Sequence, residues 1–349
     1  MTHFPKRLFS SALIAITAAG LTACSAGNDQ AKDEDSIKIV ASTQVWADVV
    51  DAMTDDPKVK IEAIVKGNDT DPHSFEPSAM DMAKAEEADI IVVGGGGYDS
   101  WLYSKVDEKK VVHALELSEH DHDHDHGEHG HGEHGHSEEA HADHGHAEHG
   151  HAEHGHAEHG HSEDAHAGHD HGPVAQGAEE NEHVWYNTSA LTQVVEDTAK
   201  AIQEKDSSVA LNVDAAKAKI DGLDKQIHAL PEAKIAQTHP IADHILLHTH
   251  MTDITPAGYR ATTLSESEPA AADVNAFLEL INSGEVQLLV DTPQTKTPYS
   301  TRIREAAEAK HIPVIEVAET PDPGTNFFDF FSKTVKEFQD EAGHVGHSH

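Results

Sequence analysis

Four places in this chain hold side chains whose types and spacing could bind a metal ion. The first is the loop Asp71-Pro72-His73-Ser74-Phe75-Glu76-Pro77, where two prolines restrict the backbone and present His73 at low entropic cost. The second is His183 in Asn181-Glu182-His183-Val184-Trp185-Tyr186, with an aromatic pair beside it that could wall a site from water. The third is His239 in Thr238-His239-Pro240, and the fourth is Glu319, with Asp322 close behind it. Each taken alone reads as an ordinary solvated residue. Together, three imidazoles and one carboxylate make a tetrahedral nitrogen and oxygen set suited to Zn²⁺. Thiolate chemistry is excluded, because Cys24 is the only cysteine. His244, His248 and His250 follow His239 closely; His244 and His248 are four apart and could share a helix face, and they read as exposed histidines outside the set.

A different kind of metal chemistry lies in residues 120–171. This segment holds 20 of the 33 histidines, 14 Asp and Glu, and no Lys or Arg. Part of it repeats every five residues, as in His151-Ala152-Glu153-His154-Gly155. With no apolar face it cannot stack as a solenoid or offset its ordering entropy, so disorder without metal is expected. Neutral imidazole is a good ligand for zinc, copper and nickel. Weak, exchangeable sites are therefore expected among His120, His122, His124, His126, His129, His131, His134, His136, His149, His151, His154, His156, His159 and His161. A solvated acidic linker is the rival reading. His344, His347 and His349 form a smaller cluster in the tail at 343–349.

Strand-like and helix-like runs alternate on both sides of this insert and must position the four groups. The pattern predicts strands at Ile37 to Ser42, Val59 to Val65, Asp89 to Val93 and Lys110 to Ala114, with helices at Ala47 to Met53 and Ser78 to Ala88. Past the insert it predicts strands at Lys234 to Thr238, Asp253 to Thr255, Val286 to Val290 and Pro313 to Val317. Helices follow at Ala271 to Asn282, Thr301 to Lys310 and Phe327 to Glu341. Between the halves, Ile220, Leu223, Ile227 and Leu230 form one apolar stripe on a helix that Pro231 ends. The expected fold is α/β: two parallel-sheet lobes of the (βα)4 type, at 37–212 and 231–342, joined by a rigid helix at 213–230. Ligands bind at the carboxyl ends of strands in such sheets. His239 and Glu319 follow strands directly and His73 lies near one, so a cleft between the lobes would gather all four groups.

The ends and the charge bound the setting. Lys6 and Arg7 precede an apolar run from Leu8 to Leu21, too short to span a bilayer and of the length of a secretory signal core. Leu21-Thr22-Ala23-Cys24 resembles a bacterial lipobox. The expectation is a leader at 1–23, a lipid-modified Cys24, a flexible tether at 24–36, and an extracytoplasmic protein anchored to the bacterial cell membrane. A net charge of −39 excludes a nucleic-acid binder, and the insert's acids supply less than half of it.

Several markers resemble a known family. They are Ala41-Ser42-Thr43 followed by Trp46; the Asp71 to Pro77 loop; Val93-Gly94 through Tyr98-Asp99-Ser100-Trp101-Leu102; His183-Val184-Trp185; and Asp291-Thr292-Pro293-Gln294-Thr295. Together they are similar to the zinc and manganese solute-binding proteins of bacterial ABC importers. That resemblance implies two α/β lobes with the metal between them. It implies ligands at His73, His183, His239 and an acidic residue near Glu319, and delivery of Zn²⁺ to membrane permease and ATPase subunits by a monomer. Some relatives carry Glu where His239 stands, which favours manganese; a third imidazole tilts the choice to zinc. A manganese-preferring member, or a surface zinc buffer or adhesin, is the alternative. An enzyme is not expected, since a fourth protein ligand closes the site to substrate and no His-Glu-x-x-His helix is present. The Gly94 to Gly97 run lacks the Walker lysine and reads as a flexible turn. Imidazole ligation predicts weaker metal binding as pH falls towards about 6.

Overall fold

The computed structural model describes residues 36–118, 178 and 181–345. The expected leader, Cys24, the tether as far as Asp35, the insert histidines from His120 to His171, and His347 and His349 lie outside the described residues.

Two four-stranded sheets follow one another along the chain, and every strand pairing in them is parallel. The first contains β1 (Ile37–Thr43), β2 (Val59–Val65), β3 (Ile90–Val93) and β4 (Val111–His113), in the order β2-β1-β3-β4. Its connecting helices are α1 (Gln44–Asp51), α2 (Ala79–Glu87) and the short α3 (Ser100–Tyr103). Two longer helices follow, α4 (Thr188–Lys205) and α5 (Val213–His228). The second sheet contains β5 (Lys234–Gln237), β6 (Thr252–Asp253), β7 (Leu288–Asp291) and β8 (Val314–Glu316), and repeats the order as β6-β5-β7-β8. Its helices are α6 (Asp243–Leu246), α7 (Ala257–Leu264), α8 (Ala271–Ser283) and α9 (Pro298–Ala309), and α10 (Phe327–Val345) follows β8.

The inner strands β1, β3 and β7 are largely apolar on both faces, as buried parallel strands are, while the edge strands β2 and β6 carry polar residues such as Lys60, Glu62 and Asp253. Alternate residues enter different cores. Ile39 and Ala41, Ile90 and Val92, and Leu288 and Val290 point into one central core. Ile91 and Val93 face an outer cluster with Ala85 and Leu102, and Leu289 faces another with Phe277 and Ile303. The central core runs continuously from one sheet to the other through Val49 of α1, Val194 of α4, Ile220, Leu223 and Ile227 of α5, and Phe331 and Phe338 of α10. This is the two-lobed architecture the alternation of runs implied.

The spine is broader than the sequence suggested. The apolar stripe of α5 is buried as expected, but α4 and α10 both pack against α5. Helix α7 was not foreseen. Its eight residues carry little apolar periodicity, and its buried face includes Arg260. The Gly94 to Gly97 run is a packed turn rather than a flexible one. Gly95 has φ +84°, and a Cβ there would lie 2.1 Å from the Leu115 carbonyl oxygen.

The lobes meet where loops after β2 and β8 interlock. Thr320 Oγ1 donates to the Gly67 carbonyl at 2.9 Å, and Asn68 Nδ2 donates to Asp322 Oδ1 at 2.5 Å. Gly67 sits at φ +83°, and a Cβ there would meet Pro323 Cγ at 2.7 Å. The substitution Gly67→Ala should therefore destabilise the fold by about 1 kcal/mol or more. Urea unfolding of the two forms side by side checks this, and identical midpoints would contradict it.

Candidate metal centre

His73 lies in a 3-10 turn, Pro72–Ser74, that begins at Asp71. Its backbone N–H donates to Asp71 Oδ1 at 2.9 Å. Trp101 Nε1 donates to the Pro72 carbonyl at 3.1 Å and packs edge-on against Phe75, so the proline loop is held from behind. The Tyr98 ring meets the His73 ring edge-on at 4.6 Å.

His183 is fixed by Asn181. The Asn181 side-chain oxygen accepts from the His183 backbone N–H at 2.9 Å and lies 2.6 Å from Nδ1. On this network Nδ1 carries the proton, and the Nε2 lone pair faces inward. Asn181 is anchored in turn, donating through Nδ2 to the Pro240 carbonyl and to Asp243 Oδ2, both at 2.7 Å. Asp243 takes a two-pronged ion pair from the buried Arg260, at 2.6 and 2.9 Å. The orientation of one imidazole thus depends on an arginine in the unforeseen helix α7.

His239 follows β5 directly. Its neighbour Thr238 is pinned by a hydroxyl bond to Asp291 at 2.7 Å and a backbone bond to Val290 at 2.9 Å. Glu319 follows β8 and is fully buried. Tyr98 donates its hydroxyl to Glu319 Oε2 at 3.2 Å, while Oε1 has no hydrogen-bond partner. Asp322 is exposed, and its contact with Asn68 holds it at the lobe junction.

These segments bring His73, His183, His239 and Glu319 together. One donor atom from each lies within 4.8 Å of all the others. His183 Nε2 and His239 Nε2 are 3.0 Å apart, and His73 Nε2 lies 3.8 Å from Glu319 Oε2. Bonds of about 2.0 Å to a tetrahedral zinc would separate ligand atoms by about 3.3 Å. The donor set fits such an ion with movements of less than an ångström for those two pairs. His73 Nε2 is buried and, like Glu319 Oε1, has no hydrogen-bond partner, so both atoms could ligate a cation.

Burial controls the protonation of the cluster. It lowers His73 to about 4, against a smaller opposing pull from Asp71. It lowers His239 to about 3, helped by His73. His183 falls well below its ordinary value through burial and the neighbouring His239 and His73. Glu319 rises well above its ordinary range, through burial first and Asp71 second. The imidazoles are thus kept neutral, the form that ligates.

Two further acids stand at the rim. Glu182 Oε1 accepts from the Gly97 N–H at 2.6 Å, and its Oε2 lies 3.8 Å from His73 Nδ1. Glu266 Oε1 lies 3.6 Å from His239 Nε2. His244, expected to be exposed, is buried, and its Nε2 bonds the Asn181 carbonyl at 2.7 Å. It buttresses the segment carrying His183 and is not one of the four converging groups. His248 instead lies beside His228, with ring centroids 5.7 Å apart. Tyr98 and Asn181 were not marked as site residues from sequence. Tyr98 stands in one of the family marker runs and Asn181 two residues before His183, and those were their signals there.

Two parallel-sheet lobes enclosing a buried nitrogen and oxygen cage have the form of a solute-binding protein built around a metal ion. The chain belongs to the family described as zinc-uptake complex component A, periplasmic, whose profile matches residues 39–341. Among curated relatives, the manganese ABC transporter substrate-binding lipoprotein PsaA of Streptococcus pneumoniae is 29% identical over 109 residues, covering 30% of this chain and 35% of that protein. The manganese-binding lipoprotein MntA of Halalkalibacterium halodurans is 29% identical over 106 residues, covering 30% and 34%. The chain thus aligns with about a third of the length of these relatives. In fold it matches crystalline ZnuA with a TM-score of 0.51 at 16% identity, covering 88% of this chain and 99% of that one. It matches TroA with 0.57 at 16%, covering 88% and 99%. No helix among the described residues is long and apolar enough to cross a membrane.

The shifted imidazoles make the stability of the metal-free protein depend on pH. Unfolded histidine takes up its proton near 6.5, but His73 and His239 in the fold do so only near 4 and 3. Between these values the unfolded chain binds more protons, so stability falls as pH drops from about 6.5 to about 4. Glu319, raised in the fold, acts in the opposite sense, its contribution being lost as pH rises above its ordinary range. Burial also raises Glu266 to about 7 and Asp99 to about 6, and both act in the same sense as Glu319, so the imidazole contribution is read as a difference between two proteins. Urea unfolding of chelator-treated protein should show the parent losing more stability than His239→Ala as pH falls from about 6.5 to about 4, and parallel profiles would contradict it.

Proposed function

We propose that this chain captures Zn²⁺ outside the cytoplasmic membrane and delivers it to the permease and ATPase of an ABC importer. The observation that carries this reading is the buried convergence of His73, His183, His239 and Glu319. Three neutral imidazoles and one carboxylate suit zinc better than manganese, which prefers oxygen donors. Manganese is the second reading, favoured by the names of the relatives PsaA and MntA.

Release follows from where the ligands come from. His73 stands on the first sheet's side of the cleft, and His239 and Glu319 follow strands of the second. Any separation of the lobes dismantles the donor set in one step. With Glu319 closing the tetrahedron, no open position is left for catalysis. The anchor at Cys24 keeps the protein near its membrane partners, and it acts as a monomer. The histidines of 120–171 collect zinc weakly and raise its concentration near the cleft, the insert ending about a dozen residues before His183.

Calorimetry tests this division of labour. Removal of 120–171 should abolish the weak sites and leave one tight zinc site. Each of His73→Ala, His183→Ala and His239→Ala should weaken that site by about 100-fold or more, whereas His248→Ala should leave it intact. Crystals grown with zinc and measured at its absorption edge would place the ion. Absence of a tight site in the deletion variant, or tighter binding of Mn²⁺ than of Zn²⁺, would refute the proposal.

A further inference from the structure

Glu266 has a position that the four-donor cage does not explain. It lies on the wall of a cavity of about 380 Å³, also lined by Asp71, Gln294 and Thr297, that borders the cage at His239. Its Oε1 is 3.6 Å from His239 Nε2 and 4.0 Å from His73 Nε2. The side chain is 45% exposed, so it touches both solvent and two of the buried imidazoles. Among the described residues its carboxylate accepts no hydrogen bond.

The backbone at this residue is also unusual. Helix α7 ends with the Glu266 N–H donating to the Thr263 carbonyl at 3.2 Å and the Ser267 N–H to the Thr262 carbonyl at 3.0 Å. This is a Schellman ending, and Glu266 occupies its left-handed position with φ +51°. Glycine ordinarily fills that place because a Cβ is disfavoured there. A glutamate stands at a site of backbone strain, with its carboxylate beside the cage.

We propose that Glu266 is a transfer ligand, binding the incoming cation first and the departing cation last. The idea rests on the metal-capture reading above. A hydrated divalent ion in the cavity meets a carboxylate that solvent can reach. Shared with His239 and His73, the ion exchanges water for protein donors in stages, rather than shedding its shell before a mostly neutral cage. The ion then settles among the four buried groups. Because the same path is used in both directions, loss of Glu266 slows entry and exit alike and leaves the equilibrium nearly unchanged.

Stopped-flow mixing of the full chain with Zn²⁺ tests this. The fluorescence of Trp185, whose ring lies 5.2 Å from His183, reports filling of the cage, and excess chelator then reports loss. Glu266→Gln should slow both steps by about tenfold or more while Kd moves by less than about threefold. Glu266→Gly removes the carboxylate and relieves the strain. It should show the same slowing with a thermal midpoint no lower than that of the parent. Glu268→Gln, an exposed neighbour on the same cavity, should change neither rate. Unchanged rates in both Glu266 variants would overturn the proposal. So would a Kd weakened by about 100-fold with faster loss, since that marks a permanent ligand. Absence of tight Zn²⁺ binding by the parent chain would instead refute the metal-capture reading itself.

Discussion

Two imidazole nitrogens held 3.0 Å apart set the terms for the rest of the molecule. His183 Nε2 presents a lone pair because its other nitrogen is committed to Asn181. The nitrogen facing it, from His239, must therefore carry a proton or share a cation with it. Lone pairs at this distance repel, and burial removes the water that would screen them. His73 and Glu319 add buried atoms with no partner of their own. Such an arrangement persists only if the surrounding fold holds it rigidly.

The rigidity comes from the two sheets and the helices between them. Each sheet repeats the same strand order, so each offers a crevice at the carboxyl ends of its strands. One continuous apolar core ties the sheets together through α1, α4, α5 and α10. The polar side of the same job falls to Arg260, Asp243 and Asn181. A buried ion pair of this kind is weak support for stability, because desolvation offsets much of its attraction. Here it has a positional use. It points one carbonyl oxygen of Asn181 at His183 and so decides which nitrogen faces the cage. The backbone turn at Gly94 to Gly97 serves similarly, its N–H groups holding the carboxylates of Asp99 and Glu182.

Much of the fold was legible in the chain. The alternation of strand-like runs and amphipathic helices located the eight strands of the described residues to within about two residues, most directly at β1, β3 and β7, whose runs are largely apolar. The short helices α3 and α7 were not, since one or two turns carry too few apolar positions for a period to emerge. His244 is buried where its local sequence reads as exposed, for a related reason. Its burial comes from contact with Asn181, 63 residues away in sequence, and no local pattern encodes that.

By itself the sequence determined the donor types, the absence of thiolate chemistry and the placement of His73, His239 and Glu319 near strand ends. These are local properties, set by residue identity and by the periodicity of a few neighbours. Only the tertiary structure decided that these donor atoms lie within 4.8 Å of one another. It also decided that Glu319 rather than Asp322 is the buried acid, that Tyr98 and Asn181 orient the donors, and that Glu266 stands at the mouth. Convergence depends on how two sheets pack across a shared core, and packing is a property of the whole chain rather than of any window of it.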